Sequence, residues 1–345
     1  MGMPTENAMH SDIAISGERF HEDERLRRRL PTALVKELTL QDDRKACAGL
    51  IELYGTITLL VALAVWTWHP LVILPAAFLI ATRQQACFVL AHDAAHYRLF
   101  RNRTLNDVVG RITGGIVGIS MPTYRVTHWL HHNHLYEHQD PDVPLNAGYP
   151  RGRTYLLTKL FKDLFGRTAF MTYRYFFGAP AINEETGDAN RPLNDTSPRL
   201  RAAARADRWW VLGFHIAMPA AAWAGGFLAE YLLFWVLPLL TFLQPILRLR
   251  AICEHGAVSD FSSPLTAART NIGPRWLMWL FFPHHVNFHI EHHMYPSIPF
   301  YNLPRTHREM RKHGVLTGAE VQEVRDTLKL VFADRPATAA GNAIA

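Results

Sequence analysis

The chain has 345 residues, 49% of them apolar and 19% charged, which excludes disorder as its overall state and leaves room for one large domain or two ordinary ones. A net charge of +6 and a pI near 9.3 suit nucleic acid or anionic lipid, and long uncharged runs decide for the lipid and against nucleic acid. The mean hydropathy of -0.04 averages strongly apolar blocks with strongly charged ones, so it does not mark a soluble protein.

Residues 1–48 are polar, carry the basic cluster from Arg25 to Arg29 and lack the apolar core and cleavage site of a signal peptide; they read as a cytosolic arm. From Leu53 to Thr82 there is no Asp, Glu, Lys or Arg, and His69-Pro70 interrupts the run. Residues 49–92 therefore predict a transmembrane hairpin, one helix ending at Trp68 and the next running from Leu71 to His92. Residues 93–207 form a cytosolic region with an amphipathic stretch from Tyr155 to Phe177, expected on the membrane surface, and a polar loop from Ile182 to Pro198. A second hairpin over 208–250 pairs Trp209 to Phe227 with Tyr231 to Leu247, turning at Ala229 and Glu230.

Residues 251–333 return to polar, helical patterning, with Pro296, Pro299 and Pro304 at turns and Val321, Val324, Leu328 and Val331 as one helical stripe. Residues 334–345 read as a disordered tail. The expected fold is an all-α integral membrane protein, four transmembrane helices in two hairpins with a cytosolic helical cap. Arg98, Arg101, Arg103, Arg199, Arg208 and Arg248 flank one side of these spans, while the opposite turns carry no Lys or Arg. That asymmetry puts both termini and the cap on the cytosolic face of an inner or cytoplasmic type of membrane.

Histidine is the unusual residue, 19 in all, most of them clustered. His92 and His96 form HxxxH, whose spacing of four puts both imidazoles on one helix face. A zinc-protease reading fails because Asp93 stands where HExxH needs Glu. His128, His131 and His132 form HxxHH, and His289, His292 and His293 repeat it. Eight imidazoles exceed what one four-coordinate zinc uses, so two metal ions are implied, and imidazole alone leaves Fe, Zn, Cu and Ni open. The fourth span, extended at helical rise, carries His255 roughly 36 Å from Tyr231, to the level His92 reaches roughly 32 Å from Leu71, which makes it a candidate ninth metal-binding residue, the alternative being an interfacial histidine at a helix end beside Gly256. Asp93, Asp140, Asp142, Glu254 and Glu291 are expected to orient imidazoles, and His134, His138, His284 and His285, near the boxes but outside the pattern, are expected to support the ligands, to handle protons or to have no role in the site. Arg83, Gln84 and Gln85 lie inside the second span, either lining an acyl tunnel or packing on another helix. Cys47, Cys87 and Cys253 are too scattered for a disulfide framework or an iron–sulfur cluster.

The order HDAAH, HWLHH and HIEHH, with DPD at Asp140 to Asp142 and EHHMYPSIPFYNLP from Glu291 to Pro304, resembles the membrane fatty acid desaturase superfamily over roughly residues 50–315. The resemblance implies two non-haem iron ions bound by His92, His96, His128, His131, His132, His255, His289, His292 and His293, with the eight box histidines catalytic. It further implies dioxygen as co-substrate and dehydrogenation of an unactivated methylene. HxxxH in the first box points to a lipid-linked acyl chain, as in acyl-lipid desaturases. Ala251 stands where some relatives have a ligating Asn, and Asn287 is the substitute to examine. With no haem or iron–sulfur module visible, electrons are expected from a separate donor such as ferredoxin with its reductase. A hydroxylase or carotenoid ketolase would use the same site, and a membrane metal transporter is the alternative of another class.

Overall fold

The computed structural model describes residues 29–137, 139–178, 197–258 and 260–334. The expectations for the arm before residue 29, for His138, for the loop over 182–196 and for the tail past 334 lie outside the described residues. The fold is mostly helical. A short helix α1 (Thr32–Leu38) leads to α2 (Asp43–Thr67), which Asp42 opens by accepting a hydrogen bond from the Arg44 amide at 3.0 Å. Trp68 closes α2 in the left-handed conformation, and Nδ1 of His69 accepts from the Leu71 amide to start α3 (Pro70–Ala95), with Pro70 in its first turn. The turn is therefore two residues long, each with a capping task.

Helix α3 is the centre of the molecule. Two-thirds of its most apolar window is buried (67%), against 17% for α2. Leu90 and Ala94 of α3 pack with Leu99, Phe100, Ile119 and Leu243 in the main core. Helix α4 (Arg103–Gly115) comes so close that a Cβ on Gly110 would meet the Ala94 Cβ at 2.4 Å, which only glycine allows. Ser120 caps α5 (Met121–Asn133) through the Thr123 amide. A single turn, α6 (Val143–Asn146), precedes α7 (Arg153–Leu164) and α8 (Ala169–Gly178). The stretch read as one amphipathic segment is thus two helices, broken at Gly166, with Phe161, Phe165, Phe170 and Met171 exposed.

Among the described residues, three helices are long and apolar enough to cross a membrane: α2, α3 and α10 (Leu228–His255). Helix α9 (Pro198–Ala224) is long enough, but its first eleven residues carry Arg199, Arg201, Arg205, Asp207 and Arg208, and its apolar face begins at Trp209. Helix α10 is interrupted, with a π-type segment at Leu232–Val236 and a break at Thr241 and Phe242 between Pro238 and Pro245. Prolines remove backbone donors and interrupt the helix, and at the break side chains hydrogen-bond to nearby carbonyls. Thr241 donates to the Leu237 carbonyl at 2.6 Å and Gln244 to that of Leu239 at 2.7 Å.

The C-terminal part comprises α11 (Pro264–Ala267), β1 (Thr270–Ile272), α12 (Arg275–Phe281), α13 (His289–Met294), α14 (Leu303–Lys312), β2 (Val321–Glu323) and α15 (Val324–Val331). Strands β1 and β2 pair in parallel, Thr270 opposite Val321. The all-α expectation holds in the main, the fold being mostly helical beside these two three-residue strands, but the valine stripe is corrected: Val321 is in a strand, where the buried Thr270 amide donates to the Glu320 carbonyl at 3.0 Å, and the helix starts only at Val324.

Candidate metal centre

The nine histidines singled out by sequence converge from four helices into two groups. His92 and His96 at the end of α3, His128 and His132 of α5, and His292 of α13 have ligand-capable atoms within 4.8 Å of one another. His131 of α5, His255 at the end of α10, and His289 and His293 of α13 form the second group by the same measure. The i, i+3, i+4 spacing explains the division: on α5, positions one turn apart face one group and the residue between them faces the other.

The donor set fits metal ions. A neutral imidazole nitrogen offers either one N–H or one lone pair. Nε2 of His292 faces those of His92 and His132, and His132 also faces His128, all at 2.9 Å. No placement of protons gives each of these three contacts a good hydrogen bond. In the second group Nε2 of His255 lies 2.7 Å from that of His289 and 3.2 Å from that of His131, and His289 and His293 approach to 3.2 Å. A cation among such nitrogens satisfies lone pairs that protons cannot. Nε2 of His96 is also buried without a hydrogen-bond partner.

Electrostatics favour the ligating, neutral form at most positions. Burial, reinforced by neighbouring imidazoles, lowers His128, His132, His289, His292 and His293 well below the ordinary histidine value. Burial and then Arg98 and Arg125 push His96 down to about 3. His131 differs: burial opposes its charge, but Asp140, with Asp142 and Glu254 beyond it, brings it up to about 9. Nδ1 of His131 donates to Asp140 at 2.9 Å, which fixes the ring and leaves Nε2 directed at the second group. Asp140 is itself held by the amides of Tyr136 and Asp142, both at 2.9 Å. His255 is fixed through Nδ1, which donates to the Ala267 carbonyl at 3.1 Å.

The other carboxylates do different work from that expected. Asp93 accepts from the Phe300 amide at 2.8 Å and only approaches Nδ1 of His92, at 3.5 Å. Glu254 pairs with Arg250 at 3.1 Å, while Glu291 accepts from His307 and Thr270, both at 2.6 Å. His134 turns to Glu137 at 2.8 Å, and the Asn287 amide donates to the Asn271 carbonyl at 3.0 Å. His284 and His285 stand apart from both groups.

Arg269 and His307 went unread in the sequence. Fully buried Arg269 donates to the carbonyls of Cys253, Gly256 and Ala257, closing the end of α10 where His255 sits. His307 anchors α13 to α14 through Glu291. Neither residue belongs to a spacing pattern, since one reads backbone and the other a single carboxylate.

The sequence model named Fatty acid desaturase matches residues 66–322. Dihydrorhizobitoxine desaturase of Bradyrhizobium elkanii is 26% identical over 253 residues, covering 70% of this chain and 68% of that protein. Fatty acid desaturase 3 of Bos taurus is 26% identical, covering 70% of this chain and 56% of the relative. Acyl-lipid (9-3)-desaturase of Physcomitrium patens is 23% identical, covering 74% and 52%. The chain thus spans little more than half the length of the last two. The match runs from the end of α2 through all three histidine boxes to β2, and on that span the chain belongs to the fatty acid desaturase family of oxidoreductases.

Proposed function

We propose that the protein catalyses dioxygen-dependent desaturation of a lipid-linked fatty acyl chain at two non-haem iron ions, one held by His92, His96, His128, His132 and His292 and the other by His131, His255, His289 and His293. The observation that carries this reading is the division of nine imidazoles, seven of them on buried histidines and those of His96 and His132 partly buried, into groups of five and four in a chain of this family. Bound iron supplies the activation of dioxygen and the removal of hydrogen from a methylene. The protein's own part is positional. Asp140 and the Ala267 carbonyl orient His131 and His255, Arg269 closes the helix under His255, and burial keeps bulk water from the imidazoles.

In this reading α9 joins α2, α3 and α10 as a fourth span through its Trp209 to Ala224 half, so that two hairpins carry a cytosolic cap. The arginines at the start of α9 support that orientation. The domain limits follow: an arm over 1–48, hairpins over 49–92 and 208–250, histidine-bearing regions over 93–207 and 251–333, and a tail over 334–345. Electrons come from a separate ferredoxin-type donor and its reductase. Expression in a host that lacks the activity, followed by mass spectrometry of its lipids, tests the reading. The expected product lacks two hydrogens, and it disappears with His292→Ala while membrane insertion persists. A product carrying an added oxygen instead assigns hydroxylation or ketolation to the same site.

A further inference from the structure

A cavity of about 710 Å³ lies beside α2, α3 and α12, and none of the nine clustered histidines lines it. Its wall is apolar, formed by Ile272, Met278, Phe282, Phe288 and Phe300. Its inner polar group is already charge-balanced: the buried Arg83 guanidinium pairs with Glu52 at 3.0 Å and stacks on Trp279 at 3.7 Å, and Trp279 Nε1 donates to the same Glu52 oxygen at 2.6 Å. At the rim stands Arg275, exposed, with no hydrogen bond or ion pair among the described residues. One further polar atom, Nε2 of His284, is buried without a hydrogen-bond partner, 3.9 Å from Glu52. His284 and His285 both hold a left-handed backbone, with φ of 51° and 62°, a cost that surrounding packing must offset.

The depth of this cavity in the bilayer follows from its neighbours. Glu52 lies in the third turn of α2, and α12, whose sequence RWLMWLF is almost wholly apolar, exposes Trp276 and Trp279. Tryptophan pairs of this kind seat a helix at the level of lipid headgroups. The cavity thus offers hydrocarbon a wall, a free cation at the entrance and no free anion.

We propose that this cavity binds an anionic amphiphile, its acidic head on Arg275 and its hydrocarbon chain along Met278, Phe282 and Phe288. The shared chemistry is a single negative charge on an acyl chain, from a free fatty acid or an acidic phospholipid. None of the nine clustered histidines lines this site, and its test does not depend on turnover.

The test is photo-crosslinking of the purified full chain in phosphatidylcholine nanodiscs with a diazirine-bearing palmitate, followed by mapping of the labelled peptides. Label is expected on α12 and on the Phe282 to Phe288 segment. It is competed by oleate or by phosphatidylglycerol, which identifies the source, and not by methyl oleate. Arg275→Gln should weaken binding about tenfold, as loss of one charge-assisted contact does, with Arg275→Lys retaining most of it. Because Arg275 holds no partner, its replacement leaves the thermal midpoint unchanged. Met278→Trp, which fills the cavity, should abolish labelling. Label confined to other surfaces, equal competition by methyl oleate, or full binding by the Arg275→Gln protein would overturn the proposal.

Discussion

His255 shows how a single residue acquires a role from two directions. The end of α10 delivers it, and Ala267 and Arg269, distant from any histidine box, fix its ring and its helix. Cys253, two positions earlier, packs instead against Val89, Phe282, Val286 and Val324. His255→Ala is expected to lower iron content from about two per chain, with activity falling in step. Cys253→Ala should keep its iron and lose about 1 kcal/mol of stability. Metal analysis of the two purified variants gives the answer, and wild-type iron in His255→Ala would remove this residue from the site. The histidines were legible because i, i+3, i+4 spacing is written into the chain. Arg269, Thr270 and His307 were not, since a side chain that binds a distant carbonyl or carboxylate leaves no period to read.

At the scale of elements, the polar triplet Arg83-Gln84-Gln85 in α3 could not be assigned from sequence for the same reason. Its partners are mostly backbone: Arg83 reaches the Trp279 carbonyl, Gln84 that of Trp235 at 2.8 Å and Gln85 that of Phe281 at 2.9 Å. Three side chains thus tie the central helix to α10 and α12. Glu52→Gln removes the counter-charge of a fully buried guanidinium and should cost about 2 kcal/mol, less than a wholly buried pair because Glu52 is one-third exposed (35%). A lowered thermal midpoint checks this, and adding Arg83→Met to the same protein should recover much of the loss. The apolar runs made the helices themselves legible. The break in α10 was hidden, because a proline in an apolar run signals a kink without saying whether the helix resumes.

For the whole molecule, a single exposed thiol reports the orientation. Cys47 lies near the start of α2 beside Arg44 and Lys45, whereas Cys87 and Cys253 are buried. A membrane-impermeant maleimide should label Cys47 from the cytosolic side alone, and Cys47→Ala should abolish the signal; labelling from the opposite side would invert the proposed topology. Helical content and apolar spans were readable from composition, but the parallel pairing of β1 with β2 was not, because it joins residues about fifty apart through backbone groups alone. The way the two histidine groups share their helices has a further effect. Helix α5 sends two imidazoles to the first group and one to the second, and α13 sends one and two. Filling either group therefore immobilises both helices, and the entropy of ordering the remaining imidazoles is already spent when the second ion arrives. Metal uptake on the proposed assignment is cooperative, passing from empty to doubly loaded with little half-filled protein between.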